Sequence, residues 1–182
     1  VKDTLDYLYS LRNQGSSFGL ERMSAFASVL GRPDESYPVV HVAGTNGKGS
    51  VCSMLDSIYR ANGYKVGLFT SPHLVELGER VRVNGKPISP GEIQSMTVDL
   101  RRMAARLEKK NPGLHPTFFE FMTAMAFVKF KEAEVDLAIV ETGLGGRLDS
   151  TNIVIPELSV ITTVSRDHCS ILGHEIEQIA RE

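Results

Sequence analysis

His41-Val42-Ala43-Gly44-Thr45-Asn46-Gly47-Lys48-Gly49-Ser50, entered from Pro38-Val39-Val40, is the stretch that decides the fold. Val39 to Ala43 reads as a short apolar strand. From Val51 the apolar residues recur at Met54, Leu55, Ile58 and Tyr59, the spacing of one helix face. Three glycines and a lysine therefore join a strand to a helix, and such a junction is where a phosphate is best held. Glycines let backbone N–H groups close on the anion, the helix N-terminus adds partial positive charge, and Lys48 can reach the outer phosphates. The pattern departs from the usual phosphate loop: the first glycine is closer to the lysine than usual, Gly49 follows the lysine, and the first hydroxyl arrives only at Ser50. Glycine-rich turns also occur where a helix merely packs closely on a sheet.

Upstream, Asp3 to Leu11 reads as a helix with Leu5, Leu8 and Tyr9 on one side. Phe18 to Met23 reads from spacing as a loop plugged into the core by Phe18 and Leu20. A second helix over Arg22 to Leu30 is closed by Gly31 and Pro33. Downstream, the phosphate-loop helix ends near Asn62-Gly63, and Lys65 to Thr70 supplies a second buried strand running into Ser71-Pro72-His73-Leu74. Residues just past strand C-termini in a parallel sheet face the ligand crevice, which places Ser71 and His73 beside the phosphate loop. Ser71 is either a hydroxyl ligand for magnesium or an ordinary turn serine before proline. Arg80 to Ile88 alternates around Asn84-Gly85, a hairpin signal. Ser89-Pro90-Gly91-Glu92 opens a long helix through Ile93, Met96, Leu100, Met103, Ala104 and Leu107, with a basic outer face.

Thr117-Phe118-Phe119-Glu120 is another helix start, and its two phenylalanines read either as core or as a flat platform for an aromatic ligand. Asp136 to Glu141 is a third buried strand ending in a carboxylate, well placed to hold Mg²⁺ opposite the phosphate loop. The plainer alternative is a charge that ends a strand. Gly143-Leu144-Gly145-Gly146-Arg147-Leu148-Asp149 follows, a backbone suited to approaching something bound, in which Arg147 and Asp149 also suit a surface ion pair. Leu158 to Val164 reads as a fourth buried strand, ending in Ser165-Arg166-Asp167-His168. His168 is either structural or a metal ligand directed to the crevice of Glu141. His41, His115 and His174 carry no comparable argument.

These elements specify one α/β domain, a P-loop-type, mostly parallel sheet flanked by helices. The 182 residues suffice for a sizeable core, and a net charge of −2 gives no reason to expect nucleic acid or an anionic membrane as partner. Two cysteines make neither a disulfide framework nor a zinc site, so a reduced cytoplasmic enzyme domain is expected. Glu175 to Glu182 carries Ile176 and Ile179 at helical spacing and then stops without a capping signal, as if cut inside a helix.

Three blocks go further than fold: the stretch from His41 to Ser50, Glu141-Thr142-Gly143-Leu144-Gly145-Gly146-Arg147-Leu148-Asp149-Ser150-Thr151-Asn152, and Asp167-His168-Cys169-Ser170-Ile171-Leu172-Gly173. With Thr70-Ser71-Pro72-His73-Leu74 between them, the chain resembles the bifunctional dihydrofolate synthase/folylpolyglutamate synthase family, a branch of the Mur ligases. The resemblance runs along essentially the whole chain, and a glycine after the lysine is that family's habit.

The resemblance implies the central ATP-binding domain of a Mur ligase and ATP-dependent amide formation. A carboxylate of dihydropteroate, or of a folate's terminal glutamate, becomes an acyl phosphate that L-glutamate then attacks. It implies that Gly44, Thr45, Asn46, Gly47, Lys48, Gly49 and Ser50 hold ATP, and that Lys48, Glu141 and His168 are catalytic. Ser71, Glu141 and His168 would bind Mg²⁺. Gly19, Leu20, Glu21, Arg22, Phe118, Phe119, Glu120, Leu148, Asp149 and Ser150 would contact the pterin substrate, which overrules the core reading of the two phenylalanines. The family's carbamylated lysine, its adenine-binding residues and its C-terminal glutamate-binding domain would all lie beyond Glu182. Residues 1–182 are then expected to be an incomplete N-terminal ATP- and pterin-binding domain, inactive alone, with an open apolar sheet edge. The full-length enzyme is expected to be a monomer. Rival readings are another Mur-type amino-acid ligase and a P-loop ATPase or nucleotide switch that makes no amide.

Overall fold

The structure, a computed structural model, describes residues 2–14 and 19–182. The core plug expected of Phe18 lies outside the described residues. The first two helices are α1 (Lys2–Ser10) and α2 (Glu21–Val29), followed by β1 (Val39–Ala43), α3 (Lys48–Ala61) and β2 (Val66–Phe69). A hairpin of β3 (Val81–Val83) and β4 (Lys86–Pro87) precedes the two long helices α4 (Pro90–Lys110) and α5 (Phe118–Glu132). The chain continues through β5 (Leu137–Glu141) and β6 (Leu158–Ile161) to two short helices, α6 (Cys169–Leu172) and α7 (Ile176–Ile179).

The expected start signals operate as chemistry. Ser89 and Thr117 each accept a hydrogen bond from the N–H three residues on, and Glu92 and Glu120 reach back to the cap N–H, so both long helices open on a complete capping box. Asn84 and Gly85 both have positive φ, as the two-residue turn joining β3 to β4 requires.

The strands form one six-stranded sheet in the order β4-β3-β2-β5-β1-β6. The pairs β2–β5, β5–β1 and β1–β6 are parallel, and the hairpin joins β2 antiparallel. β5, the last of the three central strands in sequence, inserts between the first two. The C-terminal ends of β1, β2 and β5 therefore lie side by side, with Val42 opposite Glu141 and Phe69 opposite Val140. These strands are buried on both faces, which is why their sequences are nearly continuous apolar runs.

One face carries α1, α2, α4 and α5 over Val39, Phe69, Ala138 and Val140. α5 is apolar nearly all round because it lies in the middle of that layer, with Phe121, Met122, Met125, Phe127 and Phe130 fully buried. The other face carries α3, whose Cys52 packs on Val40, Val42, Val66, Leu68, Leu137 and Ile139 with support from Val51, Leu55 and Tyr59.

Two expectations are corrected. Met54 and Ile58 were expected on the buried stripe of α3 but are more than half exposed, at 58% and 57%. The sheet-facing strip is narrower and rotated toward Val51, Cys52, Leu55 and Tyr59. The residues Leu158 to Val164 are not a buried strand: β6 ends at Ile161, and Leu158 and Ile161 are exposed. Its described pairing is with β1, and α3 packs mainly over β2, β5 and β1, so β6 lacks a second neighbour among the described residues and only its Val160 joins the cluster under α3. Among those residues no helix is long and apolar enough to cross a membrane.

Candidate active site

The phosphate loop follows β1 and is laced to the segment leaving β6. Thr45 N donates to Thr163 O (2.7 Å), Thr162 Oγ1 donates to Asn46 O (2.7 Å), and Thr45 Oγ1 both donates to Ser165 O and accepts from Ser165 N. Glycine at position 44 is required by this lacing: its φ is +134°, and a Cβ there would fall 2.1 Å from Thr162 Oγ1. Gly47, at φ +84°, ends the loop as the N-cap of α3. Lys48 opens that helix, and its Nζ folds back on the loop, donating to Gly44 O (2.8 Å) and Thr45 O (3.3 Å). Asn46, Gly47 and Ser50 are exposed.

Glu141 ends β5 on the α3 side of the sheet, where a Cβ on Gly49 would lie 3.6 Å from its Oε1. It is 4% exposed and accepts from Ser71 N at 2.9 Å. Burial pushes its carboxyl up, opposed by the Ser71 N–H and by the charges of Lys48 and Arg80. A buried carboxylate held by the Ser71 backbone N–H at the end of β5 has the hard-oxygen chemistry that suits Mg²⁺. That ion commonly takes one or two protein carboxylates and completes its shell with phosphate and water. Among the described residues no three His, Cys, Asp or Glu side chains cluster as a self-sufficient metal site.

Two cavities open at this end of the sheet. The first, about 320 Å³, is lined by Gly44, Thr45, Lys48 and His41 from one side and by the Gly143–Arg147 loop, Asp167 and His168 from the other. The second, about 530 Å³, is lined by Ser71, Phe118, Phe119, Glu120, Leu148, Asp149, Ser150 and His168. Lys48 and His168 thus share one cavity and Ser71 and His168 the other, while Gly143, Leu144 and His168 border both.

Six of the ten residues expected to meet a pterin line the second cavity together. Phe118 serves two ends at once, since it is 8% exposed within the core and also lines the cavity. Gly19, Leu20, Glu21 and Arg22 do not line it. Arg22 comes nearest, its Nη1 lying 3.4 Å from Glu120 Oε2. Glu120 is buried, and its Oε1 has no partner among the described residues. The surface ion pair considered for Arg147 and Asp149 is absent: Arg147 pairs with Glu182 at 2.7 Å, while Asp149 is buried and turned inward on its own loop.

Sequence reading missed two arginines. Arg12 places its guanidinium 4.6 Å from the centre of the Phe118 ring and Arg80 lies 5.4 Å from it, and both line the second cavity. Arg80 is itself buried and donates from Nε to His73 Nδ1 at 2.8 Å. In the sequence Arg80 is only a polar position of the alternating stretch, and its burial appears only in the fold.

The Mur ligase middle-domain model matches residues 42–182, from the phosphate loop through the last residue. The chain belongs to the Mur ligase middle-domain family. This Mur ligase domain is 44% identical to the dihydrofolate synthase/folylpolyglutamate synthase of Bacillus subtilis over 182 residues, all of this chain and 42% of that protein. Its fold superposes on the apo form of L. casei FPGS with a TM-score of 0.94 at 34% identity, covering 99% of this chain and 44% of that one. It also superposes on E. coli FolC in complex with DHPP and ADP, with a TM-score of 0.86 at 43% identity, covering 98% of this chain and 42% of that one. The domain therefore spans about two fifths of the length of these relatives.

Proposed function

We propose that this chain carries the ATP- and pterin-binding part of a cytoplasmic, monomeric dihydrofolate synthase/folylpolyglutamate synthase, which joins L-glutamate to dihydropteroate or to the terminal glutamate of a folate. The observation that carries the reading is the pair of cavities with a common wall, one holding the lysine of a phosphate loop and the other a phenylalanine ring with two guanidiniums near it. The relatives' names point the same way, and one of them was solved with ADP and DHPP.

A carboxylate is a poor acylating group until one oxygen becomes a good leaving group. In the proposed reaction the γ-phosphoryl of ATP passes to the substrate carboxylate, the bond to the β-phosphate oxygen breaks, and ADP leaves. The amine of L-glutamate then attacks the acyl carbon, phosphate departs, and the nitrogen loses a proton. Gly44 to Ser50 would cradle the phosphates through backbone N–H groups and the start of α3. Lys48, released from Gly44 O and Thr45 O, would neutralise charge on the transferring group. Glu141, Ser71 and His168 would hold Mg²⁺, which when bound supplies further neutralisation of the phosphates. Phe118, Phe119, Glu120, Leu148, Asp149 and Ser150 would seat the pterin. Arg12 and Arg80 suit the acidic end of such a substrate.

The test is an assay of the full-length polypeptide with ATP, labelled glutamate and either pteroate or tetrahydrofolate. Amide formation and phosphate release that require both the pterin and glutamate are expected. Phosphate release independent of both would favour an ATPase or switch, and turnover only with nucleotide-linked peptides would favour another Mur-type ligase.

A further inference from the structure

Asp149 accepts from Gly143 N and Leu144 N, each at 2.9 Å, through Oδ2, and from Thr151 N (3.0 Å) and Thr151 Oγ1 (2.5 Å) through Oδ1. The donors at 143 and 144 belong to the wall that both cavities share. The wall is tightly set, since a Cβ on Gly143 would fall 2.5 Å from the Phe119 ring and 3.1 Å from Asp149 Oδ2. Behind Asp149 the chain of hydrogen bonds continues. Thr151 Oγ1, which is fully buried, lies 2.8 Å from His41 Nε2 on β1, in a residue 7% exposed that lines the first cavity.

The direction of this chain is fixed by what each group can do. An ionised carboxylate only accepts, so the Thr151 hydroxyl donates to Asp149 and must take its own hydrogen bond from His41 Nε2–H. We propose that His41 and Thr151 are positioning residues for Asp149, forming a buried relay that fixes the Gly143–Leu144 wall between the phosphate cavity and the substrate cavity. The relay joins β1 to the segment that follows its neighbour β5, so the wall is referred to the strand that also carries the phosphate loop. Its kinetic consequence rests on the ligase reading above; the hydrogen-bond chain does not. Displacement of a site wall by a fraction of an ångström is enough to slow a reaction that depends on alignment across it.

The experiment compares wild type, Thr151→Val and Thr151→Ser in the full-length polypeptide. Valine keeps the shape but removes both the donor and the acceptor, while serine keeps both. In Thr151→Val, amide hydrogen exchange at Gly143 and Leu144 is expected to accelerate about tenfold, the factor one such bond carries. At a temperature where thermal melts show every variant folded, its kcat should fall about tenfold and its pterin KM should rise, with Thr151→Ser restoring both. A purely structural hydroxyl would lower the melting temperature and leave kcat of the folded enzyme unchanged. Unchanged exchange at both amides, wild-type kcat in Thr151→Val, or a serine variant as impaired as the valine variant would each overturn the relay. A wild-type polypeptide that makes no amide would remove the ligase reading instead, and the exchange measurement would then decide the relay by itself.

Discussion

The two faces of the sheet are built from different materials. Under α1, α2, α4 and α5 lies a thick layer of phenylalanine and methionine, with Phe26, Phe121, Phe127 and Phe130 fully buried. Under α3 lies a thin one of valine, leucine, isoleucine and a single cysteine. The thick face is filled by its own side chains and opens only at the start of α5, where Phe118 and Phe119 line the second cavity. The thin face must bring the first turn of α3 close to the ends of β1 and β5, and small side chains such as Gly49 allow that approach to Glu141. The larger core therefore lies on one face and the proposed phosphate site on the other, so mutations on the two faces should fail in different ways.

The largest expected effect lies on the thin face and is catalytic. In the full-length polypeptide, Lys48→Ala should lower turnover about 10⁴-fold, the range seen when a cation serving a transferring phosphoryl group is removed. The unfolding midpoint should barely move, since the ammonium's partners are two carbonyls of its own loop. Glu141→Ala should be comparably inactive. Wild-type turnover in either variant would remove the assigned role.

The thick face should show the converse. Phe127→Ala empties a fully buried site whose surroundings are other large side chains, and about 3–5 kcal/mol of stability should be lost in a denaturant titration. The kcat of the molecules that remain folded should stay within a few-fold of wild type. A loss below about 1 kcal/mol would mean that the aromatic layer relaxes into the space, and the contrast between the faces would weaken.

An intermediate effect tests how the thick layer is joined at its edge. Glu92 caps α4 and reaches Lys129 on α5 at 2.7 Å, and the Lys129 hydrogen bond, followed by those from Ser89, pulls its carboxyl down from 4.5 to about 2. A carboxylate depressed in the folded state adds stability that is present above about pH 4.5 and is lost as pH falls through the window down to about 2. Glu92→Gln should be less stable than wild type at neutral pH and converge on it in acid. Parallel stability curves across that window would show that the pair contributes through packing alone.

Legibility in the sequence followed the range of the interaction concerned. The strands, both capping boxes and the hairpin turn are written in residues at most a few positions apart, and their signals survive in the structure. The placement of Ser71 and Glu141 at the ends of the neighbouring strands β2 and β5 followed from their parallel order, whereas His168, expected at a strand end, lies seven residues past the end of β6 as the N-cap of α6. What required folding to appear is the long-range matter. His41 carried no argument in the sequence because its partner Thr151 is 110 residues away. Arg80 looked like an ordinary polar position of a hairpin until the Phe118 ring came beside it. The apolar run of β6 reads the same whether the strand is central or at an edge, so its exposure was invisible. Arg147 and Asp149 were adjacent charges whose actual partners lie elsewhere.

The smallest expected effect bears on the one place where helical periodicity named the wrong side chains. Ile58 lies in the last turn of α3 and is 57% exposed, so little of its burial is lost on replacement by lysine. Lysine is a somewhat better helix former than isoleucine, which is stiffened by β-branching, and a cation in the last turn meets the negative end of the helix dipole. These gains of a few tenths of a kcal/mol offset the residual apolar contact. Ile58→Lys in the 182-residue chain should therefore change stability by no more than about 0.5 kcal/mol, whereas Leu55→Ala, three residues earlier and packed on the sheet, should cost more. If Ile58→Lys costs about 2 kcal/mol or more, the side chain is covered in solution. The thin face would then be wider than the single strip of Val51, Cys52, Leu55 and Tyr59.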